Sequence, residues 1–495
     1  MRLPPRVWKF LRSRRVWWAV ALLPFVLGVL GAGYFGMVNW MGERALAEHR
    51  EWLVANGYTL TVRDHFPPAA NPDADVLQHP AMVAEMAATD RLDGLHRGSA
   101  RNRLPGLAKH RPSVDAERGE LQDVRTWFDP PRHATDAEAA KEILAALTPE
   151  RQRMGRVVEA LQRPQCGWQL KTNENSYISV AGQLAMFGPA RFASEVAVLQ
   201  LVAGDAEAAA LLLEAELALV AHQYRGPSLM SCDMAGAFLQ QAQPVLQEGI
   251  ARQAWSEAML ARFAAQLAAL APQAAFVDCL RGEVSFGMHA LPMTLQRPEL
   301  NLLDGWEPDR EAVAARLREI WQTVRPVGAI KQEFIAAQQQ LVAETDMSMG
   351  VPRIRFSREE SMRFAGRQDE VEERSRLEQK VWMTLQYVAE GALESEAVIA
   401  LSRTGIALER YRLKHAVHPQ ELAALVPEFL PAVPMDPYDL RPLRYRLLPD
   451  GSPLVWSVDL DSDDNAGTRP KQRRSFRREP GYDRIWVTRP LPPAP

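Results

Sequence analysis

Cysteine is scarce in this chain. Three residues, Cys166, Cys232 and Cys279, occur among 495. None belongs to a C-x-x-C pair, so neither a dithiol redox motif nor a zinc knuckle is indicated. The odd count leaves one thiol over if an exported chain pairs the other two, and small buried apolar packing is the plainer role. Net charge is also nearly absent: 58 Lys+Arg stand against 61 Asp+Glu, a formal −3. That excludes the strongly basic balance of a dedicated nucleic-acid binder. A P-loop, a dinucleotide fingerprint and a kinase set are missing. Ser231-Cys232-Asp233 holds nucleophile-type residues but lacks a G-x-S-x-G elbow. A hydrophobic fraction of 47% and a charged fraction of 24% exclude a wholly disordered chain and a polytopic membrane protein. At about 150 residues per domain the length suggests roughly two or three domains.

Charge is missing locally as well. Residues 1–15 carry Arg2, Arg6, Lys9, Arg12, Arg14 and Arg15 and no acid, and Val16 to Met41 holds no charged residue. This apolar run exceeds the about 20 residues that cross a bilayer as a helix. Trp17 and Trp18 stand at one end and Trp40 at the other, roughly 33 Å apart along a helix, where tryptophan favours the two interfaces. Basic residues before the run and mixed charges after it (Glu43, Arg44, Glu48, Arg50) place the N-terminus in the cytoplasm. The expectation is a single-pass anchor in the inner (cytoplasmic) membrane with the bulk of the chain in the periplasm. A cleaved signal peptide is the rival, but its apolar core is shorter, about 7–15 residues.

The chain divides into a basic leader (1–15), a transmembrane anchor (16–41), an amphipathic stub with a proline-rich segment (42–133), an α-helical body (134–377), and a long helix with a small sheet (378–495). The stub ends at Asn56-Gly57. Pro67-Pro68, Pro72, Pro80, Pro105, Pro112 and Pro130-Pro131 then allow only short helices, in a segment expected to be a wrapping segment or a partly mobile linker rather than an independent core. Val313, Leu317, Ile320 and Val324 make one helical stripe; Leu393, Ala397, Leu401, Thr404, Leu408 and Tyr411 make another. Gly204-Asp205 suits the junction of two helices, glycine ending the first and aspartate capping the second. Helices are expected near 206–223, 230–251, 255–270, 309–324, 329–345 and 378–415, built into a bundle or short solenoid. Arg444–Leu448 and Leu454–Val458 flank Pro449-Asp450-Gly451-Ser452 as a strand–turn–strand, and Arg484–Val487 reads as a third antiparallel strand. The fold class is therefore mainly α, with one membrane helix and a small C-terminal antiparallel β-sheet.

A family likeness lies in the C-terminal part. It is carried by Ala407-Leu408-Glu409-Arg410-Tyr411, His418-Pro419-Gln420-Glu421-Leu422, Leu425-Val426-Pro427, Pro434-x-Asp436-Pro437, Leu443-Arg444-Tyr445 and Val455-Trp456-Ser457-Val458-Asp459. This order resembles the globular domain of type II secretion major pseudopilins. The resemblance implies a helix, a Pro-x-Asp-Pro turn, a short sheet and a calcium-binding acidic loop. The pseudopilin processing site before the apolar helix is absent, and His418 stands where that family has tyrosine. The whole chain resembles an uncharacterised family of membrane-anchored helical proteins of planctomycetes and verrucomicrobia. The likeness rests on Phe66-Pro67-Pro68-Ala69-Ala70-Asn71, the Gly-Asp turn and Arg281-Gly282-Glu283, and it implies no activity.

The densest acidic cluster is Asp459-x-Asp461-x-Asp463-Asp464-Asn465. Alternating oxygen ligands in a tight loop suit Ca²⁺, a hard cation, and Asp483 is a possible further ligand. Position 12 from Asp459 is Pro470, not the glutamate of an EF-hand. A solvated acidic turn is the alternative. The basic run Arg469, Lys471, Arg473, Arg474, Arg477 and Arg478 reads as a solvated loop balancing those acids, or as a contact for anionic headgroups. His415 and His418 lack the glutamate of an H-E-x-x-H zinc frame. Arg281-Gly282-Glu283 with His289 reads as a structural ion pair at a helix break, or else as a functional constellation. The expected function is a non-enzymatic envelope protein with a helical interaction body and a protein partner. A membrane-tethered periplasmic hydrolase and a secretion pseudopilin-like component are the alternatives.

Overall fold

The computed structural model describes residues 14–65, 71–90, 104–107, 119, 121–168, 185–226, 228–296, parts of 328–339, 376–468 and 482–489. The stripe Val313–Val324, the basic run after Arg469 and the side chain of His289 lie outside the described residues.

Helix α1, Arg14–Ala55, joins the apolar run and the amphipathic stub without interruption. Its upper part is bare: Leu22, Leu23, Phe25, Leu27, Leu30, Met37 and Trp40 are exposed. Its lower end enters the core through Leu46 and Leu53, and Gly57, at φ 80°, turns the chain away. Thr59 then ties to Ser285, whose hydroxyl donates to the Thr59 carbonyl at 2.8 Å.

The proline-rich segment is short-helical as expected, and it contributes more to the core than its texture suggests. Asn71 and Asp75 each cap a 3₁₀ turn with a side-chain oxygen. Helix α2, Pro80–Asp90, follows. Val76, Met82, Trp127 and Phe128 are fully buried, each apolar side chain contributing about 1.5–3 kcal/mol on burial. Buried Glu85 of α2 pairs with Arg153.

Helix α3, Asp136–Ala146, starts at a capping box of Thr135 and Glu138. Helices α4 (Thr148–Leu161), α5 (Phe187–Ala203), α6 (Ala206–Gln223), α7 (Leu229–Ala251), α8 (Glu257–Ala268) and α9 (Pro272–Gln296) follow. At the α5–α6 junction Gly204 is left-handed (φ 88°) and Asp205 accepts the Ala208 N–H, as the sequence indicates. Helix α7 packs on α5, α6, α9 and the long helix α10, Arg376–His415. Helix α10 also packs on α8 and α9. Its expected stripe is buried at Leu393, Ala397, Leu401, Thr404 and Leu408.

Strands β1 (Arg444–Leu447), β2 (Pro453–Ser457) and β3 (Arg484–Val487) form an antiparallel sheet in that order. Tyr445 pairs with Val455, and Val455 with Trp486. One face, Val455 and Trp486, joins the main core. The other carries a second small cluster of Leu454, Trp456, Ile485 and Val487. Both β2 and β3 lie on α10, where Arg484 pairs with Glu394. One apolar cluster thus runs from Leu46 at the base of α1 to Trp486 in the sheet.

Candidate functional site

The acidic loop follows β2 and returns to β3. Asp459, Ser462 and Ala466 have φ near +55° (57°, 56° and 55°) and Gly467 has 74°, so the backbone coils tightly. The five aspartates singled out by their spacing are each placed differently. Asp459 is 3% exposed and its carboxylate accepts the Leu460 N–H at 2.9 Å. Asp461 accepts the Asp463 N–H at 3.1 Å. The Asp463 carbonyl accepts from the Asn465 amide at 3.1 Å. Asp464 accepts the Trp456 indole N–H at 2.9 Å and lies 3.6 Å from the Arg444 guanidinium. Asp483, fully buried, accepts N–H groups from Asn465, Gly467 and Thr468, the Gly467 contact being 2.7 Å.

Electrostatics follow this placement. Burial pushes the Asp483 carboxyl up to about 6 against the pull of its three N–H donors, and the charge of Asp464 adds to the rise. Burial acts upward on Asp464 too, but the Trp456 indole, the Ala466 N–H and Arg444 outweigh it and hold that carboxyl below its usual range. The donor chemistry of the loop suits a hard cation. Its placement does not gather three ligands: among the described residues no group of three or more His, Cys, Asp or Glu is arranged to hold a metal ion. The loop is closed by its own hydrogen bonds.

Sequence spacing passed over the residue that organises this end of the molecule. Asp436, fully buried, accepts from the Tyr438 N–H (3.1 Å), the Ser457 hydroxyl (2.9 Å), the Val458 N–H (2.8 Å) and Arg444 (2.9 Å). Arg444 continues to Asp439. Burial raises the Asp436 carboxyl above its usual range, with those donors opposing. Its signal in the sequence is a lone aspartate in the Pro434-x-Asp436-Pro437 turn.

Arg281-Gly282-Glu283 does not mark a helix break. All three lie inside the continuous helix α9, and residues two apart on a helix do not face each other. Glu283 reaches instead to α7, accepting the Leu229 N–H at 2.9 Å. Ser228, at the N-cap of α7, makes no side-chain cap bond, so Glu283 caps that helix from its neighbour. Burial holds the Glu283 carboxyl above its usual range against that N–H.

Among the described residues two segments are long and apolar enough to cross a membrane: Leu22–Ala55, mean hydropathy 1.6, and Glu257–Met288, mean hydropathy 1.3. The second spans α8 and α9 and buries Phe263, Leu267, Phe276 and Leu280 in the core. The apolar window of the first has no buried share at all. That N-terminal helix fits a membrane anchor by length, composition and exposure. Comparison with protein-family models, with curated proteins and with solved structures finds no match to this chain.

Proposed function

We propose that this chain is a membrane-anchored envelope protein that acts by binding a protein partner rather than by catalysis. Helix α1 is its anchor, the N-terminal leader is cytoplasmic, and the helical body with its pseudopilin-like cap lies in the periplasm. The observation that carries this reading is the continuity of α1. Its exposed apolar half and its buried base belong to one 42-residue helix. Leu46 and Leu53 lock that base into the body, and Glu43 pairs with Lys331. An anchor joined this way holds the body in a fixed pose near the bilayer face, which suits a protein that presents a surface. The long helix, the Pro434-x-Asp436-Pro437 turn and the sheet packed on α10 support the pseudopilin-like reading of the cap.

The test is topological first. A reporter fused after Asn56 is expected to be active only outside the cytoplasm, and the full chain is expected to stay in the membrane fraction after alkaline extraction. A mature soluble chain beginning near residue 40 overturns the anchor in favour of a cleaved signal. Crosslinking in intact membranes, with mass spectrometry of the adducts, then identifies the partner.

A further inference from the structure

Helices α7 and α9 pack together and bring two cysteines near one another. Cys232 lies in the first turn of α7 and Cys279 two turns into α9. Their side chains are 3% and 0% exposed. Cys232 neighbours the Cys279 thiol, whose sulfur lies 3.6 Å from the Gly226 carbonyl in the turn that leads into α7. The turn before α7 is held close: a Cβ at Gly226 falls 2.3 Å from Ser231 Oγ. Glu283, one helical turn beyond Cys279, fastens the same end of α7 through the Leu229 N–H. Two contacts, Cys279 with Gly226 and Glu283 with Leu229, therefore hold the N-terminus of α7 against α9 beside the two thiols. Cys166 sits elsewhere, in the segment after α4 and close to Asp75.

We propose that Cys232 and Cys279 form a disulfide site that joins α7 to α9 and leaves Cys166 as the free thiol. The proposal rests on the periplasmic placement of the body, because disulfides persist in oxidising compartments. The oxidant is another disulfide, either that of a dithiol oxidoreductase or a small one such as glutathione disulfide. One cysteine thiolate attacks a sulfur of the oxidant, breaks its S–S bond and forms a mixed disulfide, releasing the first thiolate. The second cysteine thiolate attacks the mixed disulfide at the cysteine sulfur, closes the Cys232–Cys279 bond and releases the second. The two cysteine protons end on the two released thiols, and the electron pair ends on the reduced oxidant. The neighbouring Cys232, and then burial, push the Cys279 thiol well above its usual range in the folded protein. Exchange therefore precedes the closure of α7 on α9, and the finished bond is shielded afterwards. The bond encloses the rest of α7, all of α8 and the start of α9, so it restricts the unfolded chain.

The test uses the full chain in detergent. Reduced, denatured protein is refolded in a glutathione/glutathione disulfide buffer, alkylated and mapped by mass spectrometry. The expected result is one crosslinked Cys232–Cys279 peptide, alkylation at Cys166, and a melting temperature that falls on reduction. Cys166→Ser keeps the reductant response; Cys232→Ser and Cys279→Ser abolish it. Free thiols at 232 and 279 in the refolded wild type and in Cys166→Ser, or a bridge through Cys166, overturn the pair. A second arm traps thiols by alkylation in intact cells. A closed pair there supports the proposal. A pair that closes on refolding yet is open in cells overturns the periplasmic placement and leaves the pairing standing.

Discussion

The indole of Trp486 occupies the space that a side chain at Gly405 would need. A Cβ built at Gly405 falls 2.0 Å from Trp486 Cε2. Gly405 lies in α10 and Trp486 in β3, so this contact seats the sheet on the long helix. The sign of a single substitution tests it. Alanine gains about 1 kcal/mol over glycine inside an exposed helix, but overpacking costs about 1–3 kcal/mol. Gly405→Ala is expected to destabilise the full chain by denaturant titration. Gly391→Ala is the control in the same helix, where nothing lies within 4 Å of the added carbon. It is expected to leave stability unchanged or raise it by up to about 1 kcal/mol.

Asp436 is the acceptor for two backbone N–H groups, a hydroxyl and a guanidinium. Removing it takes the acceptor from the two N–H groups and the hydroxyl and leaves Arg444 with Asp439 and Asp464 alone. Asp436→Ala is expected to cost about 3–5 kcal/mol, the range for breaking a buried ion pair. Asp436→Asn keeps one acceptor oxygen and is expected to cost less. Arg444→Ala combined with Asp436→Ala should show coupling, because the two share one network. Additive losses in a double-mutant cycle would mean that the network does not act as a unit.

Local signals carried much of the fold. Gly204-Asp205, the α10 stripe and the turn at Pro449–Ser452 each state a periodicity or a cap, and the backbone obeys them. What depends on where distant segments meet was illegible. The prolines before Trp127 and Phe128 describe how the chain bends, not that those two rings lie in the core. Gly282 reads as a break, yet it is buried inside the continuous helix α9. The acidic spacing states charge density. Convergence of carboxylates depends on the positive φ of Asp459, Ser462 and Ala466, and on Asp483 arriving from β3.

Glu283 substitutes for a missing N-cap on α7. Loss of a capping side chain costs about 0.5–2 kcal/mol. Glu283→Ala is expected to fall in that range by denaturant titration. Glu283→Gln keeps an acceptor oxygen and removes a carboxylate that burial disfavours, so it is expected to recover most of the loss. Equal losses in Gln and Ala would assign Glu283 a role that needs its charge, as in the functional reading of Arg281-Gly282-Glu283.

Asp483 gives the acidic loop a signature in pH. Its carboxyl is raised from 3.8 to about 6 by burial, with Asp464 adding to the rise. A raised acid binds its proton more tightly in the folded state than in the unfolded one. Stability from this group is therefore fully present below the unfolded value near 3.8 and is lost as pH climbs through about 6. At about 1.4 kcal/mol per pKa unit, the loss is about 3 kcal/mol across that window. Asp483→Asn cannot ionise, so the fall in melting temperature between those pH values is expected to be shallower than in the wild type. An unchanged slope would place the titration elsewhere. The same measurement, repeated with millimolar calcium at pH 7, separates a self-closed loop from a clamped one. An unmoved melting curve is the outcome for a loop held by its own N–H donors and Arg444. A calcium-dependent rise that Asp461→Ala abolishes would mean that Asp459, Asp461 and Asp463 turn inward on an ion, because only a ligand that prefers the folded state raises its melting temperature.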